Sequence, residues 1–451
     1  MAASKTGNSP SSAPLDYSPP QRRRLMPSDV KYLVFEGGGG KGFAYLGALR
    51  ALQGLKVLNY VKPDPKQPAT ADGKRHSRLD FRSLRGVGGA SAGAITAFLL
   101  SLGFTLQELA DLMGQKETFL GFFDGGYNDP KDDTVSRLVP TFGGAPYRQV
   151  QDSNKERQQK TRLQYAETVA GLESKVAQFE SSTLGILPSW VGDTIKSTKG
   201  AIDKYKKVSP FDILIPHWKD FAVNFAADWG LFAGYAARNL FDQLLSARMP
   251  PGADGNPQKN IPFEAHFQYF NVELLVTGTN LLTGKSQVFS HIDTPWFPVA
   301  DAIRISMGIP FVFKPIVISK DDPALSDHPE LRGCWVDGGL LNNTPFREFD
   351  DRPGKNPKTL ALRLEVEPDP PDLQSASAFL ASYMKLALAG PGEAYITASH
   401  AFQTIVLDTT GLSLLDFAPR SDLVKAAGDA ASQAVSEYFR VTPNQPSYEG
   451  L

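Results

Sequence analysis

The hydrophobic positions of the chain form short apolar runs that alternate with amphipathic segments. Residues 31–35 are predicted to form a strand, and residues 44–58 a helix with leucines at helical spacing. A second unit of the same kind follows, with a strand predicted over 84–88 and a helix over 94–102. Two consecutive strand–turn–helix units predict a parallel sheet that is covered by helices.

This alternation is interrupted in the middle of the sequence. Residues 125–262 are predicted to be an insertion, since they begin with a loop-like segment and continue with polar sequence that has few apolar anchors. The alternation then resumes, so both ends of the chain are expected to contribute to one sheet. The later predicted strands are 272–277, 287–291, 313–318, 334–337 and 359–366, and the later predicted helices are 299–307, 375–389 and 421–439.

Composition along the chain indicates how it is divided. Residues 1–28 are rich in Ser and Pro and carry too few apolar side chains to offset the entropy cost of ordering, so we expect a disordered tail. One α/β domain is expected over 29–370, with the insertion inside it. Residues 371–451 are expected to form a C-terminal helical region that packs on the core.

The insertion contains one stripe of apolar and aromatic residues that step by three or four positions. This spacing is typical of an amphipathic helix packed on a core, and a lid or interfacial helix that meets lipid is the alternative. The residues of the stripe are Trp218, Phe221, Phe225, Trp229, Phe232, Ala236, Leu240 and Leu244.

Charge and segment lengths exclude several classes of protein. The chain has 47 Lys and Arg against 48 Asp and Glu, so no overall positive field favours nucleic acid. The single cysteine, Cys334, excludes an internal disulfide and a thiolate metal cluster within one chain. Neither a secretory signal nor a run of apolar residues long enough to cross a membrane is visible. We therefore expect peripheral membrane contact at most, in the cytoplasm or after export by a route that needs no signal peptide.

The first chemical motif is a GxSxG pattern, with Ser91 between Gly89 and Gly93, at the junction of a predicted strand and a predicted helix. A nucleophilic serine on such a sharp turn needs small neighbours, and the following helix directs N–H groups toward charge that develops beside the serine. A helix-capping serine is the structural alternative.

The second motif is a glycine-rich segment, from Glu36 to Gly42, between a predicted strand and helix. Its backbone N–H groups could bind a pyrophosphate, a phosphate or the oxyanion of an acyl intermediate. A dinucleotide site requires an acidic residue about 20 positions further on, where this chain has a proline-rich loop. A Walker loop requires Ser or Thr after Lys41, and Gly42 stands there. Together with Ser91, the segment is therefore interpreted as an oxyanion site.

The third motif places Asp337 at the end of a predicted strand, followed by Gly338 and Gly339. Free aspartate has a pKa of about 3.9 and is a weak base at neutral pH. A catalytic role therefore requires desolvation and a hydrogen bond from the serine hydroxyl. An Asx turn that ends the strand is the alternative interpretation.

In this combination and order, the three motifs resemble those of the patatin-like phospholipase family, which pairs a DGGGxxG loop with a GxSxG serine and a late DG[AG] aspartate. Glu36 stands where that family usually has Asp. Residues 302–310, with Phe313 and Pro315 after them, resemble the helix and proline turn that precede the family's aspartate. The resemblance covers roughly 30–125 and 270–345. The matching loop residues are Gly37, Gly38, Gly39, Lys41 and Gly42.

The resemblance implies a three-layer α/β sandwich with a central, mostly parallel sheet and a helical insertion. It also implies a Ser91–Asp337 dyad without histidine, and an oxyanion hole formed by the N–H groups of Gly38, Gly39 and Gly40. The substrate would be a phospholipid or another lipid ester, no metal or organic cofactor would be needed, and a protein activator is left open. The remaining motif glycines are Gly37, Gly42, Gly89, Gly93, Gly338 and Gly339.

Two other functions are compatible with the same residues. His400 follows Asp337, as the order of a Ser–Asp–His triad esterase requires. However, only one strand–helix unit precedes Ser91, which is fewer than the fold of such an esterase places before its nucleophile. The other alternative is a catalytically silent lipid-binding or interaction module, against which the intact Ser91, glycine segment and Asp337 argue. The other histidines, which we assign to surface or core packing, are His76, His217, His266, His291 and His328.

Overall fold

The computed structural model of the chain describes residues 24–123 without 67, 116–118, 120 and 121, then 229–318, 328–350, 358–364, and 401–440 without 415 and 418. Its strands are β1 (Tyr32–Phe35), β2 (Tyr60–Val61), β3 (Arg78–Leu79), β4 (Gly86–Gly89), β5 (Gly230–Phe232), β6 (Glu273–Asn280), β7 (Lys285–Phe289), β8 (Phe311–Phe313), β9 (Ile316–Ile318), β10 (Gly333–Asp337), β11 (Thr359–Leu364) and β12 (Thr404–Leu407). Its α-helices are α1 (Tyr45–Gly54), α2 (Ala92–Ser101), α3 (Leu106–Gly114), α4 (Tyr235–Ala247), α5 (Phe263–Phe270), α6 (Val299–Ser306), α7 (Gly339–Asn342) and α8 (Ser421–Arg440).

The central sheet has eight strands, in the order β12-β11-β1-β4-β6-β10-β9, with β7 also paired to β6. The four pairings from β12 to β6 are parallel, whereas β7, β10 and β9 run antiparallel to their neighbours. Helices pack against the sheet, among them α2 and α6. The predicted mixed α/β fold with a mostly parallel sheet is therefore confirmed, and both ends of the sequence contribute strands to it.

The parallel strands are buried, as continuous apolar runs require. In β1, Leu33, Val34 and Phe35 are fully buried, and β11 is buried at all but one position. Helix α8 packs against α1, and the two helices are in close contact where Gly47 meets the backbone of Gly428. A Cβ at Gly47 would overlap the Gly428 carbonyl, so this close contact requires glycine at position 47. The C-terminal helix is thus part of the core.

One predicted strand, 313–318, is two strands in the structure. Strand β8 pairs with β5, and β9 pairs with β10. Between them, the Lys314 N–H donates to the Phe232 carbonyl at 2.8 Å, and Pro315 has no N–H to donate. The chain therefore changes partners at this dipeptide.

The aromatic stripe of the insertion is not one helix where the structure describes it. Gly230–Phe232 is strand β5, and α4 begins only after Gly234, whose φ is 64°. Phe232 and Phe241 belong to the main core cluster, so this part of the predicted insertion is core. The rest of the stripe, Trp218 to Phe225, lies outside the described residues.

The two chain ends differ from the predicted boundaries. Arg24 and Leu25, placed in the tail by composition, are buried, and their hydrogen bonds go to Tyr438 of α8. The C-terminal region contains strand β12 of the central sheet in addition to helix α8, so it is not only helical. The helix predicted over 375–389 lies outside the described residues. None of the helices in the described ranges is long and apolar enough to cross a membrane.

Candidate active site

Ser91 lies in the turn between β4 and α2, residues 89–93, which we call the serine turn. Its φ of 51° and ψ of −125° are rare for a residue with a side chain, and such strain is typical of functional turns. The Ser91 N–H donates to the Ser306 hydroxyl on α6 at 3.0 Å. The sequence-predicted strand–turn–helix placement of Ser91 is therefore observed.

The two glycines of the serine turn are required by close packing. A Cβ at Gly89 would overlap the backbone of Gly93, and a Cβ at Gly93 would overlap the carbonyl of Phe35 at the end of β1. The turn can lie this close to the neighbouring strand only because both positions lack a side chain.

Asp337 reaches the serine through the register of the sheet. Gly89 at the end of β4 is level with Val276 of β6, and Asp337 at the end of β10 is level with Gly278, two residues further along β6. Ser91 is itself two residues beyond Gly89, so both side chains arrive at the same height of the sheet. The antiparallel direction of β10 is what brings a strand end to this place.

The Asp337 carboxyl is fully buried. Its Oδ1 accepts the Gly339 N–H at 2.7 Å, while its Oδ2 makes no hydrogen bond of ordinary geometry with any residue in the described ranges. Burial raises the pKa of Asp337 from 3.8 to about 7, against the lowering effect of the Gly339 N–H and of the nearby Ser91 side chain. The Ser91 contact is thus looser than a full hydrogen bond, as is common before substrate binds.

The glycine loop, residues 37–42, passes into a 3₁₀ helix over Gly39–Ala44. Gly39 has a φ of 52°, and a Cβ there would overlap the Leu414 carbonyl. The N–H groups of Gly38 and Gly39 donate to no acceptor within the described ranges. The Gly40 N–H donates to the Leu414 carbonyl at 3.1 Å. This corrects the prediction for Gly40, whose N–H is already used.

Glu36 anchors the start of the glycine loop. It is buried, and its Oε2 accepts the Leu364 N–H at 2.6 Å, while its Oε1 lies 3.6 Å from the Arg363 guanidinium. Burial raises the pKa of this carboxyl, and Arg363 opposes that effect. The Tyr45 hydroxyl donates to the Glu36 carbonyl at 2.5 Å.

Asn343 is a site residue that the sequence motifs did not indicate. Its main-chain carbonyl accepts the Gly37 N–H at 3.1 Å, and its side-chain Nδ2 donates to the Gly37 carbonyl at 3.1 Å. The same Nδ2 lies 3.5 Å from Glu36 Oε1. Asn343 lies six residues after Asp337, at the end of the short helix α7. Nothing in the sequence pattern around it predicts a contact with the glycine loop.

An apolar cavity, partly open to solvent, begins at Ser91 and Gly39. It follows α2 as far as Leu99, eight residues or roughly 12 Å along the helix. Apart from Ser91 and Thr96, its side chains are aliphatic or aromatic. The remaining lining residues are Gly42, Phe43, Tyr45, Leu46, Leu49, Ala92, Ile95, Leu109, Met113, Phe119, Phe122, Met307, Ile309, Phe313 and Phe417.

No histidine of the described ranges lines this cavity. His266 is buried, lies 2.9 Å from the Ser101 hydroxyl, and has its pKa lowered to about 3 by burial. His291 stacks on Phe267. His76 pairs with Asp72, and His328 contacts Trp296 and Glu330. His217 and His400 lie outside the described residues, so the predicted lack of a catalytic role for His400 stays a prediction.

Comparison with protein families gives a match over most of the chain. The sequence model of a family described as patatin-like phospholipase matches residues 33–350, which is more than half of the chain. Within this range lie Ser91, Asp337, Asn343 and the glycine loop, whereas Leu364, Leu414 and α8 lie beyond it.

Two curated viral proteins are similar over a short segment. "Uncharacterized protein R571" of Acanthamoeba polyphaga mimivirus is 28% identical over 85 residues, 19% of this chain and 25% of that protein. "Probable lipid hydrolase 463L" of Invertebrate iridescent virus 6 is 26% identical over 88 residues, 20% of this chain and 26% of that protein. The matches thus span about a quarter of each relative.

Two solved structures align with this chain at low sequence identity. VipD from Legionella pneumophila aligns with a TM-score of 0.42 and 20% identity, over 91% of this chain and 67% of that chain. The ExoU–SpcU complex from the type III secretion system of Pseudomonas aeruginosa aligns with a TM-score of 0.34 and 18% identity, over 92% of this chain and 52% of that chain.

Proposed function

The chain belongs to the patatin-like phospholipase family, and from this premise we propose that it hydrolyses fatty-acyl esters of lipids through a Ser91–Asp337 dyad. The observation that carries the proposal is that Ser91 and Gly39 line one apolar cavity, with the buried Asp337 carboxyl interacting with Ser91. The N–H groups of Gly38 and Gly39 donate to no acceptor in the described part of the chain. A nucleophile, a base and an oxyanion site are the three elements that acyl transfer requires.

Acylation begins with proton transfer from the Ser91 hydroxyl to Oδ2 of Asp337. Oδ2 is suited to this step because Oδ1 is already held by the Gly339 N–H at 2.7 Å. The Ser91 oxygen attacks the ester carbonyl, and the oxyanion binds the N–H groups of Gly38 and Gly39. The proton then passes from Asp337 to the departing alcohol. Water, activated by the same carboxylate, releases the fatty acid.

The pKa of Asp337 fits this role at neutral pH. Burial raises it to about 7, so near neutral pH a substantial fraction of the carboxyl is ionised and its basicity is well above that of a free aspartate. Activity is expected to rise with pH through about 7 and to level off above it, because only the ionised form accepts the proton.

The cavity favours a lipid acyl chain over a small polar acid. Among its described lining residues, hydroxyl groups are found at Ser91, Thr96 and Tyr45, of which the Tyr45 hydroxyl donates to the Glu36 carbonyl, and the rest of the surface is apolar. Burying a methylene group against such a surface contributes about 0.8 kcal/mol, so affinity should grow with chain length until the cavity is filled.

The decisive experiment incubates the protein with vesicles of mixed phosphatidylcholine, phosphatidylethanolamine and phosphatidylglycerol and measures released fatty acids and lysolipids by mass spectrometry. Ser91→Ala is the control, because alanine removes the nucleophile and fits among small neighbours. We expect product from the native protein and none above background from the variant. Binding to vesicles without any product would favour the silent lipid-binding module, and more than a few per cent of activity in Ser91→Ala would exclude Ser91 as nucleophile.

A further inference from the structure

Asn343 contacts the glycine loop with both its main chain and its side chain. Its carbonyl accepts the Gly37 N–H at 3.1 Å, and its Nδ2 donates to the Gly37 carbonyl at 3.1 Å. One residue therefore satisfies both backbone groups of Gly37. Gly37 directly precedes Gly38 and Gly39, whose N–H groups donate to no acceptor among the residues that the structure describes.

The same side chain also touches the turn that follows the base. A Cβ added at Gly37 would overlap Asn343 Oδ1, and a Cβ at Gly339 would lie 2.5 Å from the same oxygen atom. Gly339 is the residue whose N–H is bonded to Asp337 Oδ1. The Asn343 amide is therefore wedged between the glycine loop and the turn that orients the carboxylate.

We propose that Asn343 is a positioning residue that keeps the oxyanion donors and the carboxylate base in one geometry, an inference that rests on the proposed hydrolase function. It touches neither the ester nor the reacting oxygen atoms. Its effect passes through Gly37 on one side and Gly339 on the other. It is buried, and its Nδ2 also lies 3.5 Å from Glu36 Oε1, so it has little freedom to move.

The test compares Asn343→Ala with Asn342→Ala. Asn342 is the adjacent asparagine, but it is half-buried and its side chain donates to Glu348 at 2.8 Å, away from the glycine loop. With phosphatidylcholine vesicles as substrate, Asn343→Ala should lower kcat by about 10- to 1000-fold, the range for partial to full loss of one oxyanion donor. KM should change little, because the apolar cavity is intact. Asn342→Ala should behave like the native protein.

The pH profile separates positioning from a general loss of structure. The Gly339 N–H lowers the pKa of Asp337, so a loosened Gly339 should raise that pKa further. The rise of activity with pH should therefore move to higher pH in Asn343→Ala and stay in place in Asn342→Ala. A partly unfolded enzyme would lose activity at all pH values without such a shift.

Asn343→Asp provides a second variant of nearly the same shape. It cannot donate to the Gly37 carbonyl and places a carboxylate beside Glu36, so a folded but slow enzyme supports the proposal. The proposal is overturned if either variant folds by circular dichroism and keeps kcat and the pH profile of the native protein. It is also overturned if both variants fail to fold, since Asn343 is then structural. Activity in Ser91→Ala would instead overturn the hydrolase function itself.

Discussion

The serine turn and the glycine loop each connect the end of a parallel strand to the start of a helix, and β1 and β4 lie side by side. The glycines of the serine turn pack against each other and against the end of β1, and its Ser91 N–H donates to the Ser306 hydroxyl on α6. The glycine loop is held by residues more than 300 positions away, namely Asn343, Leu364 and Leu414. Two similar turns thus depend on very different amounts of the fold.

The two turns differ in how much of their shape is defined by their own residues. The serine turn has a strained residue supported by the first turn of α2 and by the main chain of its neighbour. In the glycine loop, the N–H groups of Gly38 and Gly39 donate to no acceptor among the described residues, and in the proposed mechanism they bind the oxyanion, so few hydrogen bonds within the loop define its shape. Distant acceptors and donors have to fix it, which makes it sensitive to changes far from the serine.

The largest effect should come from Asp337→Asn, which removes the group that acts as base for Ser91 in the proposed mechanism. Asn is nearly isosteric but cannot take the serine proton, so kcat should fall by about 10²- to 10⁴-fold. Steady-state rates on phosphatidylcholine vesicles measure this, with circular dichroism as the check on folding. An active Asp337→Asn enzyme would rule out the dyad.

The same variant should be more stable than the native protein at alkaline pH. Because the pKa of Asp337 is raised to about 7 in the folded state, the native protein loses stability as pH rises from about 4 to about 7. Asn does not ionise, so its melting temperature should exceed that of the native protein at pH 8, and the gap should close toward pH 4. Equal melting temperatures at pH 8 would contradict a carboxyl that resists ionisation.

A smaller loss of activity is expected from Gly39→Val, which introduces a side chain where the glycine loop contacts Leu414. The residue has a φ of 52° and no room for a Cβ, so the substitution should displace the oxyanion donors, each worth about 2.7 to 4 kcal/mol. We expect kcat to fall about 10²- to 10³-fold while vesicle binding persists. Gly54→Ala is the matched control, because a Cβ at Gly54 meets nothing within 4 Å. Calorimetric binding of NAD or ATP to the native protein would reverse the assignment of the loop.

The smallest effect should come from His400→Ala, which tests whether the serine turn needs a second distant partner. A dyad enzyme should keep nearly its full rate, whereas a triad esterase would lose it, because histidine there takes the proton. The pH profile alone does not decide, since a pKa of about 7 for Asp337 lies close to that of imidazole, near 6.5. Loss of activity in a correctly folded His400→Ala would move the protein to the triad class.

Much of the fold was visible in the sequence because its signals are local. Hydrophobic periodicity located β1, β4, α2 and β10, and glycine spacing located both turns. Hydrophobic periodicity failed where the choice of partner strand determines the structure. The predicted strand 313–318 divides at Lys314 because its first half pairs with β5 and its second half with β10. The prediction of one helix for the aromatic stripe failed for a similar reason. Phe232 has helical spacing in the sequence but lies in strand β5.

The sequence by itself determined the residue types that the proposed chemistry needs, because each motif is short and contiguous. These are a serine between glycines, a run of backbone donors and a late aspartate. Only the tertiary structure decided which donors are free and how basic the aspartate is. Leu414 uses the Gly40 N–H, and complete burial raises the pKa of Asp337 to about 7. The first effect depends on atoms hundreds of residues apart in the chain, and the second depends on the exclusion of water. Neither can be predicted from local sequence.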